Sequence, residues 1–366
     1  MTKTFDPTTL LRPELSELQP YLPVLGHFDL RLDANEAPAL LSERAKARLA
    51  EVASAVAWER YPDATIGSLR ESIAARCRVQ TDQVLVGVGS DEVITLLLTA
   101  LAKPKGQEPT ILTTTPSFVM YRMSARVRGQ RVIEVPLDRS WDLDEEAVLR
   151  GIDMAEPSLL FIASPNNPTS TMADPGRLSR IIERAGRALV VVDEAYVDYS
   201  DRDQLALLER YENVAILRTL SKIGFAALRV GWLLGRPALV RELDKARLPY
   251  NVPTPSQALA QLALTELSEE IASTCRTVVA ERGRVASELA QLPGIRVAPS
   301  QANFLWFETE ADAGKLYEGL AQRGVLIRSF HGRGGRLAHC LRVTIGTGAD
   351  NDRFLETFRD CLTSLG

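Results

Sequence analysis

Residues 84–98 read Val-Leu-Val-Gly-Val-Gly-Ser-Asp-Glu-Val-Ile-Thr-Leu-Leu-Leu. An apolar run rich in β-branched residues reaches a glycine turn, and the period then becomes helical, with Val93, Ile94, Leu97, Leu98 and Leu101 on one face. A strand that is apolar at successive positions is buried on both faces, as in a parallel sheet covered by helices. The same texture recurs at 110–115, 131–137, 159–164, 188–192, 214–220 and 230–234, with helical stretches between. These runs predict an α/β fold with a mostly parallel seven-stranded sheet flanked by helices.

Outside this block the texture changes. Residues 1–30 carry Pro7, Pro13, Pro20 and Pro23 and no sustained period, which predicts an extended arm that docks on another surface, such as a partner subunit. After Pro253 and Pro255 a long helical pattern begins, and Ser268-Glu-Glu reads as a fresh N-cap that divides it. Strands are expected at 295–297, 304–307, 325–327 and 340–345, with helices near 312–322 and 351–363. The expected division is an arm (1–30), a large domain (45–255), and a small α+β domain from 31–44 and 256–366.

Composition excludes several classes. With 43 Lys+Arg against 47 Asp+Glu in 366 residues, the formal charge of -4 provides no field for a nucleic-acid backbone. No run is apolar enough to span a bilayer and the N-terminus lacks a signal core, so a cytoplasmic protein is expected. The four cysteines are scattered and the three histidines show no HExxH spacing, so neither disulfides nor a metal centre is expected.

Four segments carry possible chemistry. Ser90 or Asp91 caps the helix after the first glycine turn, where free N–H groups and the helix dipole favour a phosphate; an ordinary capped connection would look the same. Ser164-Pro-Asn-Asn-Pro-Thr places paired amides at the end of a buried strand, although a proline turn explains half of it. Asp193 ends another buried strand, where a carboxylate needs a cation, either a protonated ring nitrogen or a structural arginine. Lys222, in a Ser-Lys turn with Arg229 seven residues on, has the setting of an amine nucleophile beside a phosphate donor set, though a single lysine is usually a surface group. All four lie at C-terminal strand ends of one sheet. Together they match what one cofactor requires: an aldehyde partner, a pyridinium partner, a phenolate partner and a phosphate cup, namely pyridoxal 5'-phosphate.

At these residues, and at Leu32-Asp-Ala-Asn-Glu-Ala-Pro, Arg60-Tyr-Pro-Asp, Pro116-Ser-Phe-Val-Met-Tyr, Asp193-Glu-Ala-Tyr, Leu228-Arg-Val-Gly and Leu341-Arg-Val-Thr-Ile-Gly-Thr, the sequence resembles the fold-type I, pyridoxal-phosphate-dependent aminotransferases of class I and II. Within them it is most similar to the histidinol-phosphate aminotransferases. The resemblance implies that Lys222 takes the cofactor aldehyde and moves the proton between Cα and C4', and that Asp193 pairs with the ring nitrogen. Asn167 and Tyr196 would bond the 3'-oxygen, and Phe118 would stack on the ring. Ser90, Asp91, Ser221 and Arg229 would hold the phosphate, with Tyr61 reaching it from the other subunit of a homodimer. Tyr21, Asn35, Arg328 and Arg342 would contact substrate, Arg342 gripping its anionic end.

The implied reaction is transamination between L-histidinol phosphate and 2-oxoglutarate in histidine biosynthesis. An aromatic amino acid aminotransferase, a threonine-phosphate decarboxylase and a cofactor-binding sensor are the alternatives. Three departures stand out: a Lys222–Arg229 interval one residue short, Ser170 in place of a glycine, and Phe118 where tyrosine is common. The loop His331-Gly-Arg-Gly-Gly-Arg336 either closes over an anion or is solvated.

Overall fold

The structure, a computed structural model, describes residues 6–20, 22 and 24–365. Its strands in chain order are β1 (Leu30–Arg31), β2 (Val84–Val88), β3 (Thr110–Thr115), β4 (Arg131–Pro136), β5 (Leu159–Ala163), β6 (Leu189–Asp193), β7 (Val214–Thr219), β8 (Val230–Leu234), β9 (Ile295–Val297), β10 (Phe304–Thr309), β11 (Val325–Leu326), β12 (Arg328–Ser329) and β13 (Cys340–Thr344). All seven runs expected between 84 and 234 become strands of one sheet, ordered β2-β8-β7-β6-β5-β3-β4. Only β8 runs against its neighbours β2 and β7.

Burial on both faces follows the two-residue period. Leu160, Ile162, Val190, Val192, Val214 and Ile216 join one core cluster, while Leu159, Phe161, Val191, Ala215 and Leu217 join another. The helix Gly89–Ala100 supplies Val93, Ile94 and Leu97 to the second face, and the helices Gly67–Cys77 and Pro175–Ala185 supply Leu69, Ile73, Leu178 and Ile181 to the first. Full burial of each such aliphatic side chain contributes roughly 1.5–3 kcal/mol.

A second sheet, β12-β13-β10-β9, is antiparallel throughout, and β1 pairs with β11 in parallel. The strand expected over 325–327 is thus two short strands in different sheets, because the chain changes partner at Ile327. The helical region does break at 268, giving Thr254–Leu264 and Ser268–Ala290, but Ser268 is not the cap. Leu267 holds that position, and the Ser268 hydroxyl donates back to Thr265 O at 2.8 Å. In the arm, Arg12 Nη1 donates to Arg128 O at 2.9 Å, so part of it lies on its own chain. No helix among the described residues is long and apolar enough to cross a membrane.

Candidate active site

One cavity of about 440 Å³ opens where the parallel strands end. The antiparallel β8 is what completes it: its first residue, not its last, lies at this edge, so Arg229 arrives beside residues that follow β2, β5, β6 and β7. Asn35, Ser90, Asp91, Phe118, Asn167, Asp193, Tyr196, Ser221, Lys222, Arg229, Arg328 and Arg342 all line it. Tyr61 does not; it is 81% exposed and stacks on Tyr250 with ring centroids 4.8 Å apart. Tyr21 and Pro23 lie outside the described residues.

At one end is a cup. Gly89 has φ +73, and a side-chain carbon there would come within 2.7 Å of Arg229 Nη2. Opposite, a carbon on Gly231 would sit 2.4 Å from Ser90 N, so β8 touches the helix start backbone to backbone. Neither Ser90 nor Asp91 caps this helix, contrary to expectation. Val88 occupies the cap, and Glu92 reaches back to accept from Val88 N at 2.6 Å. Ser90 and Asp91 therefore lie in the first turn and face the cavity, with Asp91 Oδ2 3.2 Å from Arg229 Nη2. Ser221, after β7, is set by its backbone N–H, which donates to Thr219 Oγ1 at 3.1 Å.

Asp193, the last residue of β6, is 4% exposed. Its Oδ1 accepts from Ala195 N at 2.9 Å and its Oδ2 from Tyr121 Oη at 2.5 Å. Burial pushes its pKa up to about 6, against the opposing pull of those two donors and of Lys222, with Asp91 adding to the rise. Lys222 Nζ lies 3.4 Å from Ala34 O and 5.8 Å from the Tyr196 ring centroid. Tyr196 Oη accepts from Asn35 Nδ2 at 3.0 Å, and Asn35, with φ +56, is fixed by Thr344 and Asn303.

The two asparagines part company. Asn166 is committed to its own turn: it donates to Pro116 O and Thr169 Oγ1 and accepts from Ser117 Oγ. Only Asn167 faces the cavity, where its Oδ1 accepts from Arg342 Nη1. Arg342 also donates to Asp33 O and lies over Phe304, 5.3 Å from the ring centroid. Arg328 is its direct partner across β12 and β13. Ser170 does keep the backbone of a turn glycine, with φ +60 and its hydroxyl donating to Thr169 O at 2.6 Å.

Tyr121 and Arg333 are among the lining residues to which the sequence reading gave no individual role. Tyr121 sits in a helix face that reads as ordinary core, and no spacing rule connects it to Asp193. Arg333 brings one half of the 331–336 loop into the cavity, and burial, with Arg122 and Arg328 nearby, lowers its proton affinity. Arg336 turns away, lying over Trp141 at 3.4 Å from the ring centroid and donating to Asp138 O.

Residues 29–358 match the family described as aminotransferase class I and II. A histidinol-phosphate aminotransferase of Aquifex aeolicus is 36% identical over 97% of this chain and 99% of its own. Histidinol-phosphate aminotransferase 2 of Nitrosococcus oceani is 38% identical over 95% and 96%. Among solved structures, the histidinol-phosphate aminotransferase of Sinorhizobium meliloti in complex with pyridoxal-5'-phosphate superposes with a TM-score of 0.86 over the full length of both chains at 21% identity. An L-threonine-O-3-phosphate decarboxylase from Porphyromonas gingivalis reaches 0.76 over 91% of this chain and 99% of its own at 19% identity, so the fold alone does not separate these reactions.

Proposed function

Because the chain belongs to the aminotransferases of class I and II, we propose that it exchanges an amino group between L-histidinol phosphate and 2-oxoglutarate, giving imidazole-acetol phosphate and L-glutamate, a step of histidine biosynthesis. One observation carries the reading: Arg328, Arg333 and Arg342 line the same cavity as Lys222 and Asp193. Guanidinium groups take carboxylate and phosphate alike, which a site serving both half-reactions requires.

The cavity fits pyridoxal phosphate. Its volume lies within the roughly 300–1,000 Å³ of small-molecule sites, and one end is a side-chain-free cradle beside Arg229 while the other holds a buried carboxylate. When bound, the cofactor supplies an aldehyde for the substrate amine and a ring that delocalises electrons left on the substrate Cα. Arg229, Ser221, Ser90 and Asp91 would hold its phosphate, Asp193 its ring nitrogen, Asn167 and Tyr196 its 3'-oxygen, and Phe118 its ring face. Lys222 Nζ would take the proton from the substrate Cα and return it at C4'. Arg342, Arg328, Asn35 and Tyr21 would orient the substrate through its anionic end.

The proposal includes a homodimer with a shared active site, in which Tyr61 reaches the partner's cofactor phosphate, and a cytoplasmic location. Trp58 and Tyr61, 72% and 81% exposed, support this reading as large aromatic surface left uncovered on the single chain. The division into an arm, a large domain over 45–255 and a small domain from 31–44 and 256–366 is part of the same reading, supported by the separate antiparallel sheet. The test is a cofactor absorbance spectrum before and after L-histidinol phosphate. Conversion to the amine form supports the assignment. A band that answers phenylalanine but ignores histidinol phosphate refutes the substrate, and carbon dioxide release from O-phosphothreonine would favour the decarboxylase.

A further inference from the structure

On the cofactor reading above, we infer that Tyr121 is a positioning residue that holds Asp193 ionised and aimed at the ring nitrogen, and so sets that nitrogen's protonation. Among the described residues, two donors reach the Asp193 carboxylate, and they differ in kind. The Ala195 N–H belongs to the backbone that follows β6 and is fixed by the fold. The Tyr121 hydroxyl comes from the first turn of a separate helix, Val119–Val127, 72 positions away in the chain.

Its geometry leaves it little choice of partner. The ring is fully buried, stacked on Phe161 at 4.6 Å with 2° between planes, and meets Phe118 edge-on at 5.5 Å. A buried hydroxyl needs a partner, and this one lies 2.5 Å from Asp193 Oδ2. Burial and the neighbouring carboxylate push the phenol's own pKa well up, so it remains a neutral donor.

Neutrality is the functional point. An arginine or lysine in this place would stabilise the carboxylate better, but it would cancel the charge and compete with the pyridinium for it. A phenol lowers the carboxylate's proton affinity by hydrogen bonding and leaves the full negative charge for the ring. The other charged groups acting on Asp193 are Lys222, which assists ionisation, and Asp91, which opposes it. Each carboxylate oxygen here accepts one protein donor, so lone pairs remain for the ring N–H.

Tyr121→Phe keeps the ring contacts and removes only the donor. Apoprotein of the parent and of Y121F would be titrated with pyridoxal phosphate and with its 1-deaza analogue, in which C–H replaces the ring nitrogen. The expected result is about tenfold weaker binding of pyridoxal phosphate by Y121F, with affinity for the deaza analogue unchanged. Without its donor Asp193 holds a proton to higher pH, so the difference between variant and parent should shrink as pH rises. Equal losses for both ligands would reduce Tyr121 to packing and overturn the inference, as would no loss for either. Failure of the parent itself to bind pyridoxal phosphate would overturn the cofactor reading as well.

Discussion

At Asp193 the fold places a carboxylate with little access to water, and the consequence for the cofactor-free protein has a definite sign. Its pKa in the folded state is raised from 3.8 to about 6 by burial. Folding therefore favours the protonated form: the group's contribution to stability is complete below about pH 4 and is lost as pH rises through 6. Asp193→Asn removes the titration, because the amide still accepts from Ala195 N–H and donates to the Tyr121 oxygen. The cofactor-free variant is expected to unfold later than the parent above pH 6, by on the order of 2 kcal/mol, with the advantage fading toward pH 4. Thermal melts at several pH values check it. Lys222→Ala is expected to abolish the aldehyde-linked absorbance and turnover; retained turnover would defeat the assignment. Asp193, Asn167, Lys222 and Arg229 were legible because each follows or precedes a continuous apolar strand, so position in the chain fixed position in the site. From the residues alone Asn166 and Asn167 read as one pair of amides, and only the turn that claims Asn166 separates them.

Whole elements meet at Gly231, where β8 and the Gly89–Ala100 helix approach too closely for any side chain. Gly231→Ala is expected to push them apart, costing about 1–3 kcal/mol and loosening the cup. A lower melting temperature together with faster cofactor loss on dialysis is the expected pair of readings. The 331–336 loop gives a different signature. Arg333→Gln should raise KM for the phosphorylated substrate well before it lowers kcat, since on the proposed reading Arg333 would meet the anion and not the reacting carbon; steady-state kinetics decide. The seven strands of the main sheet were readable because unbroken apolar runs have few alternatives. Helix caps were not. At both 90 and 268 a serine stood where a cap is usual, yet Glu92 in one case and the Thr265 carbonyl in the other drew the local bonding elsewhere. The strand over 325–327 was read as one because its change of partner depends on β1, nearly three hundred residues earlier.

The molecule as a whole leaves apolar surface uncovered on one chain. Leu10, Leu22 and Leu25 of the arm are 76%, 70% and 81% exposed, as a segment waiting for a second copy would be. Deleting residues 1–25 is expected to shift the protein toward monomer and to lower kcat in parallel, because the proposed site takes Tyr61 from the neighbour; sedimentation and activity against dilution measure both. The prolines of residues 1–30 make an arm in need of a docking surface legible in the sequence, but not which leucines it leaves uncovered, since an exposed leucine has no period of its own. The hairpin from β7 to β8 has one further consequence. Every parallel neighbour in the sheet is reached by a long excursion, but Lys222 and Arg229 lie on one short return between adjacent strands. The proposed amine and the proposed phosphate anchor are thus spaced by a single loop, which acts as a ruler: an inserted or deleted residue there would change the distance between the two, while the same change in any crossover would leave their separation intact.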